Sequence, residues 1–140
     1  MSIYLDASVL VALFSTDMFT AAADRAFRGR SLAVAVSDFA AAEFASVIAR
    51  RLRNKELTKG EALAAFAAFD GWSAHAPSRV DVISADIRAA TRSVRQLTMN
   101  LRAPDAIHIA IAQRIGAELA TFDGKMSAAA AALGAGVFVI

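Results

Sequence analysis

The chain alternates between short apolar runs and longer stretches in which apolar residues recur with helical spacing. The short runs are rich in strand-forming residues and predict five strands, at residues 3–5, 32–36, 80–82, 119–122 and 137–140. The longer stretches predict helices at residues 8–14, 20–28, 37–53, 58–72, 84–95, 104–115 and 126–133. Short strands that alternate with helices are typical of a parallel sheet covered by helices on both faces. No repeat or linker interrupts the pattern, so we expect a single α/β domain over residues 1–140.

The starts of several predicted helices carry recognisable signals. Ser37 and Ser84 stand where an N-cap residue accepts a backbone hydrogen bond. Thr58 and Glu61 have the spacing of a capping box, and Pro104 suits the first turn of a helix. These local signals support the predicted helix boundaries.

Composition excludes several classes of protein. A chain of 140 residues that is 57% apolar, with a net charge of +2, can bury enough surface to fold, so it is not a disordered protein. Without cysteine it has no disulfide scaffold, zinc–thiolate site or cysteine nucleophile. The longest apolar stretch, at residues 126–140, is interrupted by two glycines and is shorter than the ~20 residues that cross a bilayer. We therefore expect a soluble, cytoplasmic protein.

Charged residues are unevenly distributed along the chain. Residues 1–24 contain three acids and no base, whereas residues 25–59 contain eight bases against three acids. Residues 88–102 contain four arginines and no acid. Basic stretches that alternate with acidic ones suit a protein that binds a polyanion beside a group of carboxylates. Solvated helix faces explain the same charges equally well, so charge alone does not decide between the two.

Four acids stand near the carboxyl ends of predicted strands or early in helices, where function gathers in a parallel sheet. Asp6 follows the first predicted strand, and Asp123 follows the fourth. Asp105 lies in the first turn of its helix, and Glu43 lies about two turns into another. Three of the four also have a structural explanation, since Asp6 suits a helix cap, Asp105 a helix dipole and Asp123 a turn.

Glu43 is harder to explain structurally because its side of the helix is apolar. Its neighbours at helical spacing are Phe39, Ala40 and Val47. Arg50, on the same face, lies too far along the helix to pair with Glu43 easily. A carboxylate in apolar surroundings needs a partner, since an unpaired buried charge is very costly. A bound cation meets that need, and oxygen ligands without cysteine or paired histidines favour Mg²⁺ or Mn²⁺ over zinc.

Four segments form an ordered motif that spans essentially the whole chain. They are Tyr-Leu-Asp-Ala-Ser at 4–8, Ser37 with Glu43, Pro-Asp-Ala-Ile-His-Ile-Ala at 104–110, and Ala-Thr-Phe-Asp at 120–123. In this order they resemble the PIN-domain ribonucleases, and most closely the VapC toxins of prokaryotic toxin–antitoxin pairs. The resemblance implies a three-layer sandwich, with a short parallel sheet of about five strands flanked by helices on both faces.

The resemblance also implies an acidic site that cleaves RNA with Mg²⁺ or Mn²⁺. The catalytic and metal-binding acids correspond here to Asp6, Glu43, Asp105 and Asp123. Ser8 and Thr121 fall where the family often places hydroxyls that support the carboxylates. The implied products carry 5′-phosphate and 3′-hydroxyl ends.

Partners follow from the same resemblance. Family members usually pair as homodimers, and a separate antitoxin chain holds the toxin inactive. Beside a carboxylate–metal site, arginines from the two basic stretches are candidate phosphate contacts for RNA. They are Arg50, Arg51, Arg53, Arg88, Arg92 and Arg95.

Two other functions are consistent with the sequence. A PIN-like module that binds RNA or assembles with partners, without catalysis, predicts RNA binding without turnover. An aspartate-based phosphatase on a similar sheet is less favoured, because that chemistry needs a second aspartate two residues after Asp6, where Ser8 stands. His108 lies three residues after Asp105, and we interpret it as a packed, hydrogen-bonded core residue rather than a catalytic one.

Overall fold

The apolar runs form the strands of a three-layer α/β fold in the computed structural model, which describes residues 1–75 and 77–140. The strands in these residues are β1 (Ser2–Leu5), β2 (Ala33–Ser37), β3 (Ser78–Val80) and β4 (Glu118–Ala120). The helices are α1 (Ala7–Phe14), α2 (Thr20–Phe27), α3 (Asp38–Arg53), α4 (Lys59–Ser73), α5 (Ser84–Val94), α6 (Ala103–Arg114) and α7 (Gly124–Ala132).

The sheet is parallel, and its strand order is β3-β2-β1-β4. Tyr4 of β1 lies beside Ala35 of β2 on one side and Leu119 of β4 on the other. The chain moves outward from β1 to β2 and β3, and then returns to place β4 on the opposite side of β1. The order therefore reverses between β1 and β4. In open parallel sheets, ligands bind in the crevice at the carboxyl ends of the strands at such a switch point.

Helices cover both faces of the sheet, as the sequence predicts. The side chains of β1 alternate between the faces, because successive residues of a strand point in opposite directions. Ile3 and Leu5 belong to an apolar cluster with residues of α1, α3 and α4. Tyr4 belongs to a second cluster with residues of α5, α6 and α7. The central strand is thereby buried on both sides, which is typical of parallel sheets.

The prediction of a fifth strand at residues 137–140 is wrong for the sheet in the described residues, which has four strands. Val137 makes one isolated parallel bridge to Leu119 of β4. The Leu119 N–H donates to the Gly136 carbonyl, and the Phe138 N–H donates to the Leu119 carbonyl, both at 2.9 Å. Strand β4 is three residues long, so it offers few backbone groups for a longer ladder on that side.

Two of the predicted helix caps are present. The Ser37 hydroxyl accepts a hydrogen bond from the Ala40 N–H at 3.0 Å, and the Thr58 hydroxyl accepts one from the Glu61 N–H at 3.1 Å. Pro104 lies in the first turn of α6, as expected. Within residues 1–75 and 77–140, no helix is both long and apolar enough to cross a membrane.

The segment around β3 departs from the prediction in two ways. The strand is Ser78–Val80, slightly earlier than the predicted residues 80–82. Ser84 is the first residue of α5 and not its cap. A residue in the first turn of α5 caps the helix instead. The Asp86 carboxylate accepts a hydrogen bond from the backbone N–H of Ile83 at 3.0 Å.

Candidate active site

Four acids from four separate elements line one cleft with a volume of about 330 Å³. Asp6 joins β1 to α1, Glu43 lies on α3, and Asp105 lies in the first turn of α6. Asp123 immediately precedes α7. The cleft opens where β1 and β4 end, at the switch point of the sheet. Folding thus brings together the four acids that the sequence singles out.

Asp6 is the most buried of these acids, with 2% of the residue exposed. One carboxylate oxygen, Oδ1, accepts hydrogen bonds from the Ser8 hydroxyl at 2.6 Å and from the Val9 N–H at 3.1 Å. The other, Oδ2, accepts one from the Thr121 hydroxyl at 2.6 Å. Asp6 is therefore the N-cap of α1, and both of its oxygens are held in place.

Burial raises the pKa of the Asp6 carboxyl above its ordinary value, because the charged form loses its hydration. The hydrogen bonds from Ser8, Thr121 and Val9 oppose this effect, but burial outweighs them. A cation at this carboxylate would favour its charged form. The environment of Asp6 therefore suits a group that binds a cation.

Two hydroxyl groups connect Asp6 to the segment that carries Asp123. The Ser8 hydroxyl accepts a hydrogen bond from the Phe122 N–H at 2.9 Å while donating to Asp6. The Thr121 hydroxyl accepts one from the Asp123 N–H at 3.0 Å while donating to the other Asp6 oxygen. Each hydroxyl thus uses its hydrogen and a lone pair to join the end of β1 to the turn after β4.

Asp123 and Asp105 each have a protein partner. Asp123 Oδ1 accepts hydrogen bonds from the backbone N–H groups of Lys125 and Met126, at 2.9 and 3.3 Å, and caps α7. Asp105 is buried, and its Oδ2 lies 3.4 Å from Nε of Arg102, three residues before it. The structural explanation of Asp6 as a helix cap is therefore correct. Asp123, explained from the sequence as a turn residue, is the N-cap of α7, and both acids also line the cleft.

Glu43 pairs with His108, a contact between α3 and α6 that the sequence analysis missed. Glu43 Oε2 lies 2.5 Å from His108 Nε2. The His108 residue is 1% exposed, whereas the Glu43 side chain is 31% exposed. His108 is packed and hydrogen-bonded, as expected, but its partner is a residue of the cleft. One signal in the sequence indicates that His108 lies near the cleft. It stands one turn after Asp105, so both residues face the same side of α6.

Behind His108, a row of hydrogen bonds runs through the interior. The other ring nitrogen of His108, Nδ1, lies 2.9 Å from the Tyr4 hydroxyl. The Tyr4 hydroxyl lies 2.7 Å from the Ser37 hydroxyl, which caps α3. Burial raises the pKa of Tyr4, so its hydroxyl stays protonated.

The donor set of the cleft fits Mg²⁺ or Mn²⁺ in its chemistry. Four carboxylates supply oxygen ligands, which these cations prefer. In residues 1–75 and 77–140, no three acidic or histidine side chains are close enough together to hold a metal ion as they stand. The carboxylates are instead held by the protein partners described above, so a cation would draw them from those partners or share them.

The six candidate arginines occupy different surroundings. Arg50 lines the cleft. The Arg51 guanidinium contacts Asp17 at 3.4 Å, and Arg95 lines a separate apolar groove between α5 and α6. The other three, Arg53, Arg88 and Arg92, are exposed.

Arg102 is a cleft residue that the sequence analysis did not select. It lines the cleft beside Asp105, and it also lines an adjoining cavity of about 720 Å³. That cavity extends to Asn100 and Lys125. The available signal was the position of Arg102 three residues before Asp105 at a helix start, where the two side chains are within reach of each other.

Comparison with known proteins identifies the fold. Residues 3–132 match the sequence profile of the PIN domain family. Solved structures with a similar fold include VapC20 of Mycobacterium tuberculosis, described as a sarcin–ricin loop cleaving toxin, with 21% identity over 91% of this chain and 94% of that chain and a TM-score of 0.68. A toxin–antitoxin complex from Klebsiella pneumoniae has 21% identity over 90% of each chain and a TM-score of 0.63.

A third structure of similar fold is FitAcB from Neisseria gonorrhoeae. It has 18% identity over 98% of this chain and 96% of that chain, with a TM-score of 0.61. At these identities the likeness establishes the fold alone. No curated protein sequence matches the chain significantly.

Proposed function

The chain belongs to the PIN domain family, and from this we propose that it is a Mg²⁺- or Mn²⁺-dependent endoribonuclease that acts as the toxin of a toxin–antitoxin pair. The observation that carries the proposal is the convergence of four carboxylates from four elements on one cleft. Carboxylates that only cap helices or form turns do not need to lie close together, because each one contacts the backbone of its own helix or turn. Carboxylates that share a site repel one another, and a cation relieves this repulsion.

Asp6, Glu43, Asp105 and Asp123 are the residues that would hold the cation. When bound, a divalent cation activates water and neutralises the charge that builds on a phosphodiester during hydrolysis. The chain itself contributes orientation. Hydrogen bonds fix both oxygens of Asp6, and the turn after β4 is tied to them through two hydroxyl groups. This pre-organisation reduces the cost of assembling the carboxylates when substrate binds.

We propose that Arg50 and Arg102 are the cleft's phosphate contacts. They lie on different elements, α3 and the residue before α6, and both line the acidic cleft. The adjoining cavity shares Arg102 with the cleft and adds Lys125, which extends the positive charge along the surface. Contacts of this kind hold the RNA backbone in register without reading its sequence.

The test is cleavage of RNA by the purified protein with Mn²⁺, with EDTA, and with the Asp6→Asn and Asp123→Asn variants. We expect cleavage that needs the cation and is lost in both variants. Cleavage in EDTA, or full activity of Asp6→Asn, would contradict the proposal. RNA binding without turnover in the presence of Mn²⁺ would favour the alternative, a PIN-like RNA-binding module.

The toxin role is supported by the structures of similar fold. One is described as a cleaving toxin, and another was solved as a toxin–antitoxin complex. We propose that a separate antitoxin chain binds this protein and blocks the cleft. Co-expression with the product of the neighbouring reading frame should yield a complex that does not cleave RNA. Free, fully active protein in that preparation would contradict the antitoxin assignment.

We also propose that the protein forms a homodimer. Helix α5 presents apolar side chains on its surface, among them Ile87, which is 45% exposed. Ile87 borders the groove between α5 and α6, and covering this groove would remove apolar area from water. Light scattering after size-exclusion chromatography measures the mass, and a monomer at micromolar concentration would exclude a stable dimer.

A further inference from the structure

The Glu43–His108 contact belongs to a continuous row of hydrogen bonds that links three of the four acid-bearing elements. Tyr4 lies on β1, two residues before Asp6, and His108 lies on α6, three residues after Asp105. Ser37 caps α3, the helix that carries Glu43. We propose that His108 is a positioning residue that orients Glu43 toward the cation, with Tyr4 fixing the histidine tautomer. The inference rests on the proposed function, because it assigns a role in that same site.

The direction of each hydrogen bond follows from counting donors and acceptors. The Ser37 hydroxyl accepts the Ala40 N–H at 3.0 Å, and its hydrogen has the Tyr4 hydroxyl oxygen as its acceptor at 2.7 Å. The Tyr4 hydrogen then goes to His108 Nδ1 at 2.9 Å. A neutral histidine that accepts at Nδ1 carries its proton on Nε2. That proton faces Glu43 Oε2 at 2.5 Å.

The reverse direction satisfies fewer groups. If Tyr4 donated to Ser37, the Ser37 hydrogen would lose its acceptor in the described residues. His108 Nδ1 would then have to donate to Tyr4, and a neutral ring would face Glu43 with an unprotonated nitrogen. Two acceptors would meet at 2.5 Å, unless Glu43 or the ring took up a further proton. The forward direction leaves every member of the row paired.

The ring of His108 is also held by packing. Its centroid lies 5.0 Å from that of Phe39 and 5.8 Å from that of Tyr4, with interplanar angles of 40° and 44°. A ring confined in this way cannot turn to present its nitrogens elsewhere. Glu43, by contrast, is a long side chain that is partly exposed, so without a partner it would sample several rotamers.

In this arrangement the two carboxylate oxygens of Glu43 have different roles. Oε2 accepts the hydrogen from His108, and Oε1 is the oxygen with which Glu43 would hold a cation. His108 therefore does not touch the reacting atoms; it acts through Glu43. Losing a group that orients a metal ligand in this way typically lowers metal affinity or activity about 10- to 100-fold.

Two substitutions of His108 distinguish the hydrogen bond that Nε2 makes to Glu43 from the one that Nδ1 makes to Tyr4. In His108→Gln the side-chain amide nitrogen stands near the former Nε2, so the donor to Glu43 is retained. In His108→Asn the amide stands near the former Nδ1, so contact with Tyr4 is retained and the donor to Glu43 is lost. Both variants lose the ring, and thermal unfolding measures that shared structural cost.

Mn²⁺ binding to the RNA-free protein, measured by calorimetry, is the main readout. We expect His108→Asn to weaken Mn²⁺ binding by about 10-fold or more, and His108→Gln to weaken it by about threefold or less. In a Glu43→Gln background, His108→Asn should cause no further loss. If a folded His108→Asn variant binds Mn²⁺ as tightly as the wild type, or if both variants lose affinity equally, the proposal is overturned.

A measurement on the wild-type protein tests the proposal independently of whether the His108 variants fold. Nitrogen-15 NMR of the metal-free protein should show the His108 proton on Nε2, and Tyr4→Phe should allow a mixture of tautomers. A proton on Nδ1 in the wild type would overturn the proposal. Absence of RNA cleavage in the wild type would refute the proposed function, whereas the Mn²⁺ titration and the NMR spectrum would still decide the role of His108.

Discussion

The Thr121 hydroxyl donates a hydrogen bond to Asp6 at 2.6 Å, so the residue that follows β4 holds the acid that follows β1. The same hydroxyl accepts the N–H of Asp123 at 3.0 Å. Two acids near opposite ends of the sequence are thereby joined through one small side chain. The bond crosses the switch point of the sheet, where β1 and β4 are neighbours.

We predict that Thr121→Val destabilises the protein and impairs cleavage, because valine has the shape of threonine without its hydroxyl. The substitution leaves the Asp123 N–H and one Asp6 oxygen without their partner, at a cost of about 1–3 kcal/mol in the free energy of unfolding. Urea denaturation measures the loss. Thr121→Ser keeps the hydroxyl and serves as the control; equal losses in the two variants would refute this role.

The raised pKa of Asp6 predicts how stability depends on pH without a bound metal. In the interval between its unfolded and folded pKa values, the folded protein holds a proton that the unfolded chain has released. The free energy of unfolding therefore falls as pH rises through this interval. Asp6→Asn does not titrate there, so its stability relative to wild type should improve as pH rises from about 4, near the ordinary pKa of aspartate.

Urea denaturation in EDTA at several pH values between about 4 and 7 tests this relationship. The quantity to follow is the difference between the variant and the wild type, since other titrating groups largely cancel in it. A difference that is constant with pH, or that moves in favour of the wild type, would contradict the raised pKa of Asp6.

We predict that Arg102→Gln weakens RNA binding and reduces the slope of log Kd against log salt concentration by about one, because one phosphate contact is lost. Arg88→Gln removes an exposed arginine of α5 and is the matched control. Its binding and salt dependence should match the wild type. If Arg88→Gln weakened RNA binding and Arg102→Gln did not, the RNA would lie on the α5 surface instead.

The ion pair between buried Asp86 and the more exposed Arg114 predicts a large effect on stability away from the cleft. The Asp86 oxygens accept hydrogen bonds from Nε and Nη2 of Arg114 at 2.7 and 3.0 Å, and Asp86 is 1% exposed. The bond to Asp86 raises the pKa of Arg114, which stays charged. Arg114→Ala leaves the buried Asp86 carboxylate without its charged partner, so we expect a loss of about 3–5 kcal/mol in the free energy of unfolding.

The exposed pair of Asp38 and Arg79 is the control for this prediction. Asp38→Ala should cost less than about 1 kcal/mol, because water screens an exposed ion pair. Thermal and urea unfolding measure both losses. Calorimetric Mn²⁺ affinity should stay unchanged in Arg114→Ala, since Arg114 does not line the cleft. A loss of similar size in both variants would contradict the role of burial.

The elements of the fold were largely readable from the chain because their signals are local. Ser37 and Thr58 cap their helices with side chains that bond three residues ahead, a contact that sequence spacing reports directly. Prediction from local sequence was wrong where a long-range contact determines the secondary structure. The run at 137–140 has strand-forming residues, but its only neighbour in the described sheet is the three-residue strand β4.

The acids of the cleft were identified from their positions and from the family resemblance, whereas their partners were not. The sequence showed Glu43 on an apolar helix face without a cation nearby, which pointed to a metal ion. His108 is 65 residues away in the chain, so no helical spacing connects the two. The spacing of Arg102 three residues before Asp105 predicts contact between these two side chains, but the cleft that they line with Glu43 and Asp123 is formed only by tertiary packing.

Sequence alone therefore establishes the family, the order of strands and helices, and four acids with oxygen ligands suited to a divalent cation. These properties depend on residue type and on short-range spacing. The packing of helices across the sheet decides which side chains hold those acids: Thr121 for Asp6, and His108 for Glu43. Hydrogen bonds require atoms within about 3 Å of each other, and only the folded chain brings groups so distant in sequence to that separation.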